Sequence, residues 1–387
     1  MIKANYPIVK FKDIQTPFYY YDLDVLRSTL SEINQNIKGQ PFVVHYALKA
    51  NVNPDLLKII KDAGMGADCV SGGEVQAALD AGFAPKKIVF AGVGKADWEI
   101  NLGLDSNIFC FNVESIPELE VIDELAGIKG KIAKVALRIN PDISANTHHY
   151  ITTGLSENKF GINLSELDKV VALIKNLKHI NLVGIHFHIG SQIMDIDPYI
   201  DLCNKINELQ DYFFNEGVNL ENINVGGGLG VNYEHPNHFP MPEFEAYFNI
   251  FKEHLKLKDG QILHFELGRS IVAQCGSLIS RVLYVKEGTS KKFVILDAGF
   301  TDLIRPALYQ AYHRIENLSS EKPEQEYDVV GPICESSDVF SKGYSMNETT
   351  RGDIIAFRTA GAYGEIMASQ YNLRKLPKAY TSDGLKG

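Results

Sequence analysis

The sequence predicts an α/β protein: a (β/α)8 TIM barrel joined to a second, mostly β domain of barrel or sandwich kind, formed by both chain ends. Three observations carry this. Eight short apolar and β-branched runs alternate with amphipathic segments of helical period across residues 42–266, and after about residue 270 that alternation gives way to β-rich runs. The opening segment Thr16-Pro-Phe-Tyr-Tyr-Tyr-Asp22 reads as a strand that precedes the first barrel unit.

The eight runs fall at residues 42–47, 66–70, 87–91, 108–112, 133–139, 182–188, 223–226 and 262–266. Helical segments between them include 54–63, 74–81, 116–125, 164–177, 198–214 and 242–255. Strands joined through helices run parallel, and eight such units close a barrel; an open doubly wound sheet is the alternative. The later runs, 278–285, 292–296, 327–330 and 353–357, belong to the β domain. The expected division is a cofactor-binding barrel over residues 25–272 and a β domain from residues 1–24 and 273–387.

A chain of 387 residues exceeds the size at which one core stops growing, which agrees with two domains. It carries 48 acidic against 38 basic residues, a net charge of -10, and no basic cluster interleaved with aromatics, so nucleic acid is not an expected partner. Met1-Ile-Lys-Ala-Asn-Tyr-Pro7 lacks the pattern of a signal peptide and no apolar run reaches membrane-spanning length. The expectation is a cytoplasmic protein. Cys69, Cys110, Cys203, Cys275 and Cys334 are scattered and odd in number, which speaks against a disulfide framework and against structural zinc.

In barrel enzymes the chemistry collects where strands end, so the residues there matter most. Lys49 ends the first strand, flanked by small residues in Tyr46-Ala-Leu-Lys-Ala-Asn51, and is placed to form a Schiff base with a carbonyl compound. Asp68 and Ser71 follow the second strand, Arg138 the fifth, His188 the sixth, Gly226-Gly-Gly-Leu-Gly230 the seventh, and Glu266 the eighth. Gly226, Gly227 and Gly228 suit a phosphate cradle, since backbone without Cβ approaches an anion closely; a plain strand-to-helix turn is the bland reading. A phosphate-bearing cofactor held by a lysine is pyridoxal 5'-phosphate, and a carboxylate facing its pyridine nitrogen keeps that nitrogen protonated. Glu266 therefore favours decarboxylation over racemisation, unless it pairs with Arg269. His186 and His188 form an H-x-H pair whose rings share a strand face, as metal ligands do. The other strand ends supply Lys, Arg, Gly and Glu, so no metal is expected; His188 suits stacking on a planar cofactor and His186 a hydrogen-bonded core position.

Taken in order, Tyr46-Ala-Leu-Lys-Ala-Asn51, Asp68-Cys-Val-Ser-Gly-Gly-Glu74, Thr147-His-His-Tyr-Ile-Thr-Thr-Gly154 with Lys159-Phe-Gly-Ile162, His188-Ile-Gly-Ser-Gln192, Gly226-Gly-Gly-Leu-Gly230, Glu266-Leu-Gly-Arg269, Arg305-Pro-Ala-Leu-Tyr309, Gly331-Pro-Ile-Cys-Glu-Ser-Ser-Asp338 and Gly361-Ala-Tyr-Gly364 resemble the fold-type III pyridoxal-phosphate decarboxylases. The motifs span nearly the whole chain. The resemblance implies that Lys49 carries the cofactor, His188 stacks on its ring and Glu266 pairs with its nitrogen. Ser191, the Gly226–Gly228 amides and Tyr363 would hold the phosphate, with Asp68 and Arg138 in support. It also implies a homodimer with shared sites, to which the β domain contributes the interface and in which Cys334 and Glu335 reach the neighbour's cofactor. One departure is visible: Leu267 stands where the family often has proline, which leaves the turn before Arg269 less constrained.

Charge narrows the substrate. Arg269 and Arg305, beside Tyr309, Tyr363 and the acid Glu335, suit a distal end that bears both a carboxylate and an ammonium, as in meso-diaminopimelate, whose decarboxylation gives L-lysine. A pocket for ornithine, arginine or carboxynorspermidine is the alternative within the family, and each arginine could instead pair with an internal acid. A catalytically silent binding homologue is the alternative of another class, but none of the cofactor residues is missing. For the proton returned to Cα, Lys49 and the neighbour's Cys334 are both candidates.

Overall fold

The computed structural model describes residues 6–143 and 159–385. The motif at 147–154, and most of the loop at 142–159, lie outside the described residues. The chain forms two compact units, one of Met1–Thr29, Val231–Pro242 and Arg269–Gly387, the other of Leu30–Gly230 and Glu243–Gly268.

In chain order the strands are β1 (Phe18–Tyr21), β2 (Phe42–Ala47), β3 (Gly66–Cys69), β4 (Ile88–Phe90), β5 (Cys110–Val113), β6 (Ala133–Asn140), β7 (Ile162–Asn163), β8 (Ile180–His186), β9 (Asn222–Asn224), β10 (Ile262–Leu267), β11 (Gly276–Glu287), β12 (Lys292–Leu296), β13 (Ile315–Asn317), β14 (Glu324–Val330), β15 (Val339–Asn347), β16 (Ile354–Phe357) and β17 (Lys378–Thr381). In the second unit the order β5-β4-β3-β2-β10-β9-β8-β6, with β5 also paired to β6, closes an eight-stranded ring, and every pairing in it is parallel. This is the predicted barrel. All eight predicted runs are its strands, because a strand covered on both faces reads as a mostly apolar run.

Helix starts explain why the strand ends are held so firmly. Ser71 Oγ accepts from the Glu74 N–H at 3.2 Å while Glu74 Oε2 accepts from the Val70 N–H at 2.8 Å. Ser115 and Glu118 repeat the arrangement two units later, with Pro117 in the first turn. These reciprocal caps satisfy helix donors and tie each helix to the strand just before it. Two details depart from the sequence reading. The segment expected as one helix at 164–177 is a 3-10 turn, Leu164–Glu166, followed by the α-helix Leu167–Ile174. Strand β8 ends at His186, so His188 and Ser191 stand in the loop beyond it; the last ladder bond is Phe187 N–H to the Asn224 carbonyl at 2.8 Å.

The other unit is built on a sheet in the order β13-β16-β11-β12-β14-β15. There β1 pairs antiparallel with β11 and parallel with β17, which joins the start and the end of the chain in one sheet, as predicted. Phe11, Phe18, Tyr20, Ile279, Ile354 and Ala356 form its buried cluster. Burying each large side chain contributes about 1.5–3 kcal/mol, enough to hold an N-terminal strand that has no barrel partner. Among the described residues no helix is long and apolar enough to cross a membrane.

Candidate active site

Along the barrel strands the apolar runs are broken by buried polar residues: His45, Asp68, Asn112, Arg138, His186, Asn224, His264 and Glu266. Burying so many without function would be costly. Lys49 stands in the single 3-10 turn Leu48–Ala50 that follows β2, half-buried. The Tyr46 hydroxyl donates to the Asn51 carbonyl at 2.8 Å and pins that turn. Asp68 pairs in register with Ala47 on the neighbouring strand. It is 2% exposed, and its Oδ1 has no hydrogen-bond partner among the described residues. Burial pushes its pKa well above the usual carboxylate value and the Glu266 charge adds to this, while Lys49 and Arg138 pull it down.

Glu266 is held from three sides. Its Oε1 accepts from Asn112 Nδ2 at 2.9 Å and Asn224 Nδ2 at 2.7 Å, and its Oε2 accepts from His186 Nε2 at 2.9 Å. Burial alone would raise its pKa; His186, by charge and hydrogen bond, leads the influences that outweigh burial and hold the carboxyl well below its usual range. Glu266 is thus a fixed anion. His186 is the hydrogen-bonded core histidine that the sequence suggested, and Arg269 donates elsewhere, to the Tyr233 hydroxyl. One pleat further down the same strand, His264 Nδ1 and His45 Nε2 share a hydrogen bond of 2.9 Å, with His45 Nδ1 donating to the Lys87 carbonyl. Burial, the largest influence, lowers the pKa of His45 to about 4 and that of His264 to about 3.

His188 is kept neutral chiefly by burial, with Lys49 and Arg138 adding to the effect, and its Nδ1 accepts from the Gly227 N–H at 3.4 Å. A neutral ring suits stacking on a cofactor ring that is itself a cation. In the glycine loop, Gly226 has φ +69° and Gly228 φ +105°, and a Cβ on Gly227 would stand 2.0 Å from the Glu266 carbonyl oxygen, so no side chain fits at this turn. The Gly226 amide is committed to Asn224 Oδ1 at 2.9 Å. The Gly227 amide's bond to His188 is longer, so it is the weaker commitment, and Gly227 and Gly228 are better placed than Gly226 to offer donors to an anion. Arg138 pairs with Glu114 at 2.7 Å and stacks on Phe160 with 4.7 Å from guanidinium carbon to ring centroid. Sequence reasoning missed Asn112, Glu114 and Asn224; a polar residue interrupting each apolar run was the signal that could have found them.

The remaining predicted residues belong to the other unit. Arg269 and Arg305 are buried, 7% and 6% exposed. The Arg269 guanidinium lies 4.9 Å over the Tyr363 ring, whose backbone has a left-handed φ of 57°, a conformation that non-glycine residues adopt at strained, often functional positions. Arg305 donates to His313 Nε2 at 2.9 Å, and His313 Nδ1–H donates to the Arg358 carbonyl at 2.9 Å. Tyr309 is half-buried at the end of the helix Arg305–Tyr309. Cys334 and Glu335 are exposed; the Tyr371 hydroxyl donates to Glu335 Oε1 at 2.7 Å.

His313 makes a stability prediction possible. Burial, followed by the Arg305 charge, lowers its pKa from 6.5 to about 3. Below pH 6.5 the unfolded chain takes up a proton that the folded chain refuses until about pH 3, so folding weakens as pH falls through that window. Between pH 6.5 and 5 this one histidine costs roughly 2 kcal/mol at ~1.36 kcal/mol per pH unit. Urea unfolding at pH 7.5 and 5 should show the wild type losing about that much more than His313→Gln; equal losses would show that His313 does not fold as a buried neutral ring.

These residues fit pyridoxal phosphate. The half-buried lysine, the orphaned Asp68 oxygen, the neutral imidazole, the fixed anion and the side-chain-free turn match an aldehyde, a ring cation and a phosphate. Fold and site thus define the class: a pyridoxal-phosphate-dependent decarboxylase built on a (β/α)8 barrel. The family model described as pyridoxal-dependent decarboxylase, pyridoxal binding domain, matches residues 23–273. Within that class the chain belongs to the diaminopimelate decarboxylases. It is 64% identical over 385 residues to the diaminopimelate decarboxylase of Bacteroides thetaiotaomicron, covering 99% of this chain and 100% of that one. The crystal structure of diaminopimelate decarboxylase from Helicobacter pylori complexed with L-lysine is similar at 42% identity and a TM-score of 0.91, over 96% of this chain and 93% of that one. The enzyme from M. jannaschii gives 36% identity and 0.90, over 97% and 89%.

Proposed function

We propose that this chain decarboxylates meso-2,6-diaminopimelate to L-lysine and carbon dioxide, the last step of lysine biosynthesis, and that the residues above carry the reaction. The observation on which this rests is the Glu266 carboxylate, kept anionic by His186, Asn112 and Asn224 at the end of β10. When bound, pyridoxal phosphate supplies an electron sink for the pair released as the bond from Cα to the carboxylate breaks.

Lys49 would anchor the cofactor through its amine. Glu266, held as an anion, would keep a proton on the cofactor's ring nitrogen. His188 stacks against the ring, and its neutrality avoids placing a second positive charge beside that cation. Asp68 supports the Lys49 amine. Ser191, the Gly227 and Gly228 amides and Tyr363 bind the phosphate. Arg269 and Arg305, with Tyr309 and Tyr363, bind the distal carboxylate, and Glu335 binds the distal ammonium. After carbon dioxide leaves, Lys49 Nζ or the partner's Cys334 returns a proton to Cα.

The proposal includes a homodimer, supported by the exposure of Cys334 and Glu335 on the single chain, and a cytoplasmic location. Residues 25–272 are proposed as the cofactor-binding part, and residues 1–24 with 273–387 as the part that forms the dimer face. In an assay of lysine formed from meso-diaminopimelate against carbon dioxide released from ornithine, arginine and carboxynorspermidine, the first should lead by 100-fold or more in kcat/KM, about 2.7 kcal/mol. Preference for any of the others overturns the substrate assignment.

A further inference from the structure

Tyr233 lies in the segment Val231–Pro242, which packs in the same unit as Arg269 and Arg305. Its hydroxyl oxygen accepts from Arg269 Nη1 at 2.6 Å and from Arg305 Nη1 at 3.1 Å. The Arg305 guanidinium carbon also stands 5.1 Å from the Tyr233 ring centroid, and His313 receives another hydrogen bond from that guanidinium at 2.9 Å. Arg305 is 6% exposed, and among the described residues it forms no ion pair with a carboxylate. Its acceptors are a phenol and a neutral imidazole. Two buried guanidinium groups on one phenol, with no carboxylate ion-paired to Arg305 among the described residues, form a positive site that an anion would complement.

Two guanidinium groups that converge on one phenol oxygen repel each other, so the shared acceptor is what keeps them adjacent. Each guanidinium carries five N–H donors in a planar fork whose geometry matches a carboxylate in a bidentate manner. We infer that Tyr233 is a specificity-determining positioning residue: it sets the spacing of Arg269 and Arg305 so that together they select a substrate with a carboxylate at the end remote from the reacting carbon. This rests on the proposed substrate. Nothing in the sequence motifs singled Tyr233 out; its role is visible only where residues 231–242 meet residues 269 and 305 in one unit.

The test compares wild-type and Tyr233→Phe holoenzymes in kcat and KM for meso-diaminopimelate, and in inhibition by L-lysine, which keeps the distal carboxylate, and by cadaverine, which lacks it. In the variant KM should rise about 10–100-fold, as loss of charge-assisted hydrogen bonds implies, with kcat changed by less than about threefold. Lysine inhibition should weaken by a similar factor while cadaverine inhibition stays the same. Unchanged KM and unchanged lysine inhibition overturn the inference. So does an equal loss of lysine and cadaverine binding, which marks a general structural defect. A wild type that does not turn over meso-diaminopimelate defeats the substrate proposal instead, and the ratio of lysine to cadaverine inhibition still decides the role of Tyr233.

Discussion

Lys49→Ala should lower carbon dioxide release on the order of 10⁴-fold, because alanine removes the amine that holds the cofactor and that can return a proton. The fold should survive: Lys49 is half-buried in a short turn whose shape is fixed by Tyr46 and Asn51, so the loss of stability is expected to stay within ~1 kcal/mol. The purified variant should lack the yellow colour of lysine-bound pyridoxal phosphate, and a small external amine should restore part of the rate. A yellow Lys49→Ala protein with more than about a hundredth of the wild-type rate would rule out the assignment of this lysine.

The second large effect is at Glu266. In Glu266→Gln one carboxylate oxygen becomes an NH2 group that meets donors already aimed at that position, Asn112, Asn224 or His186. His186 can accommodate this, since its Nδ1 has no partner among the described residues and the proton can move there, leaving Nε2 to accept. The rearrangement should cost about 1–3 kcal/mol of stability, the usual penalty for a buried donor left unsatisfied. Activity should fall further, by about 10²–10³-fold in kcat, because the amide carries no charge to hold a proton at the ring nitrogen. The measurement is kcat with saturating cofactor beside the urea midpoint. A variant that keeps more than about half the wild-type kcat would show that Glu266 is structural.

Much of the architecture was legible because each barrel strand and its helix state their periods locally. The runs at 42–47 and 262–266 correspond to β2 and β10 almost residue for residue. The strand Phe18–Tyr21 could be read as lying outside the barrel for the same reason, its aromatics being too bulky and continuous for a turn. Less regular stretches were harder: β13, β15 and β17 are short or half-exposed, so their composition carries little periodic signal.

The chemistry of the site was legible residue by residue, since a lysine, a carboxylate and a glycine run at strand ends each have few inexpensive structural explanations. Sequence alone therefore determined the barrel and the cofactor, and it supplied the anchoring groups proposed above. Only the tertiary structure decided their protonation and their support. That Glu266 is an anion depends on Asn112, Asn224 and His186, which come from three other strands, and that Arg269 and Arg305 stand together depends on Tyr233. Charge states and spacings of this kind follow from burial and from partners distant in the chain, and long-range contacts leave no period in a sequence.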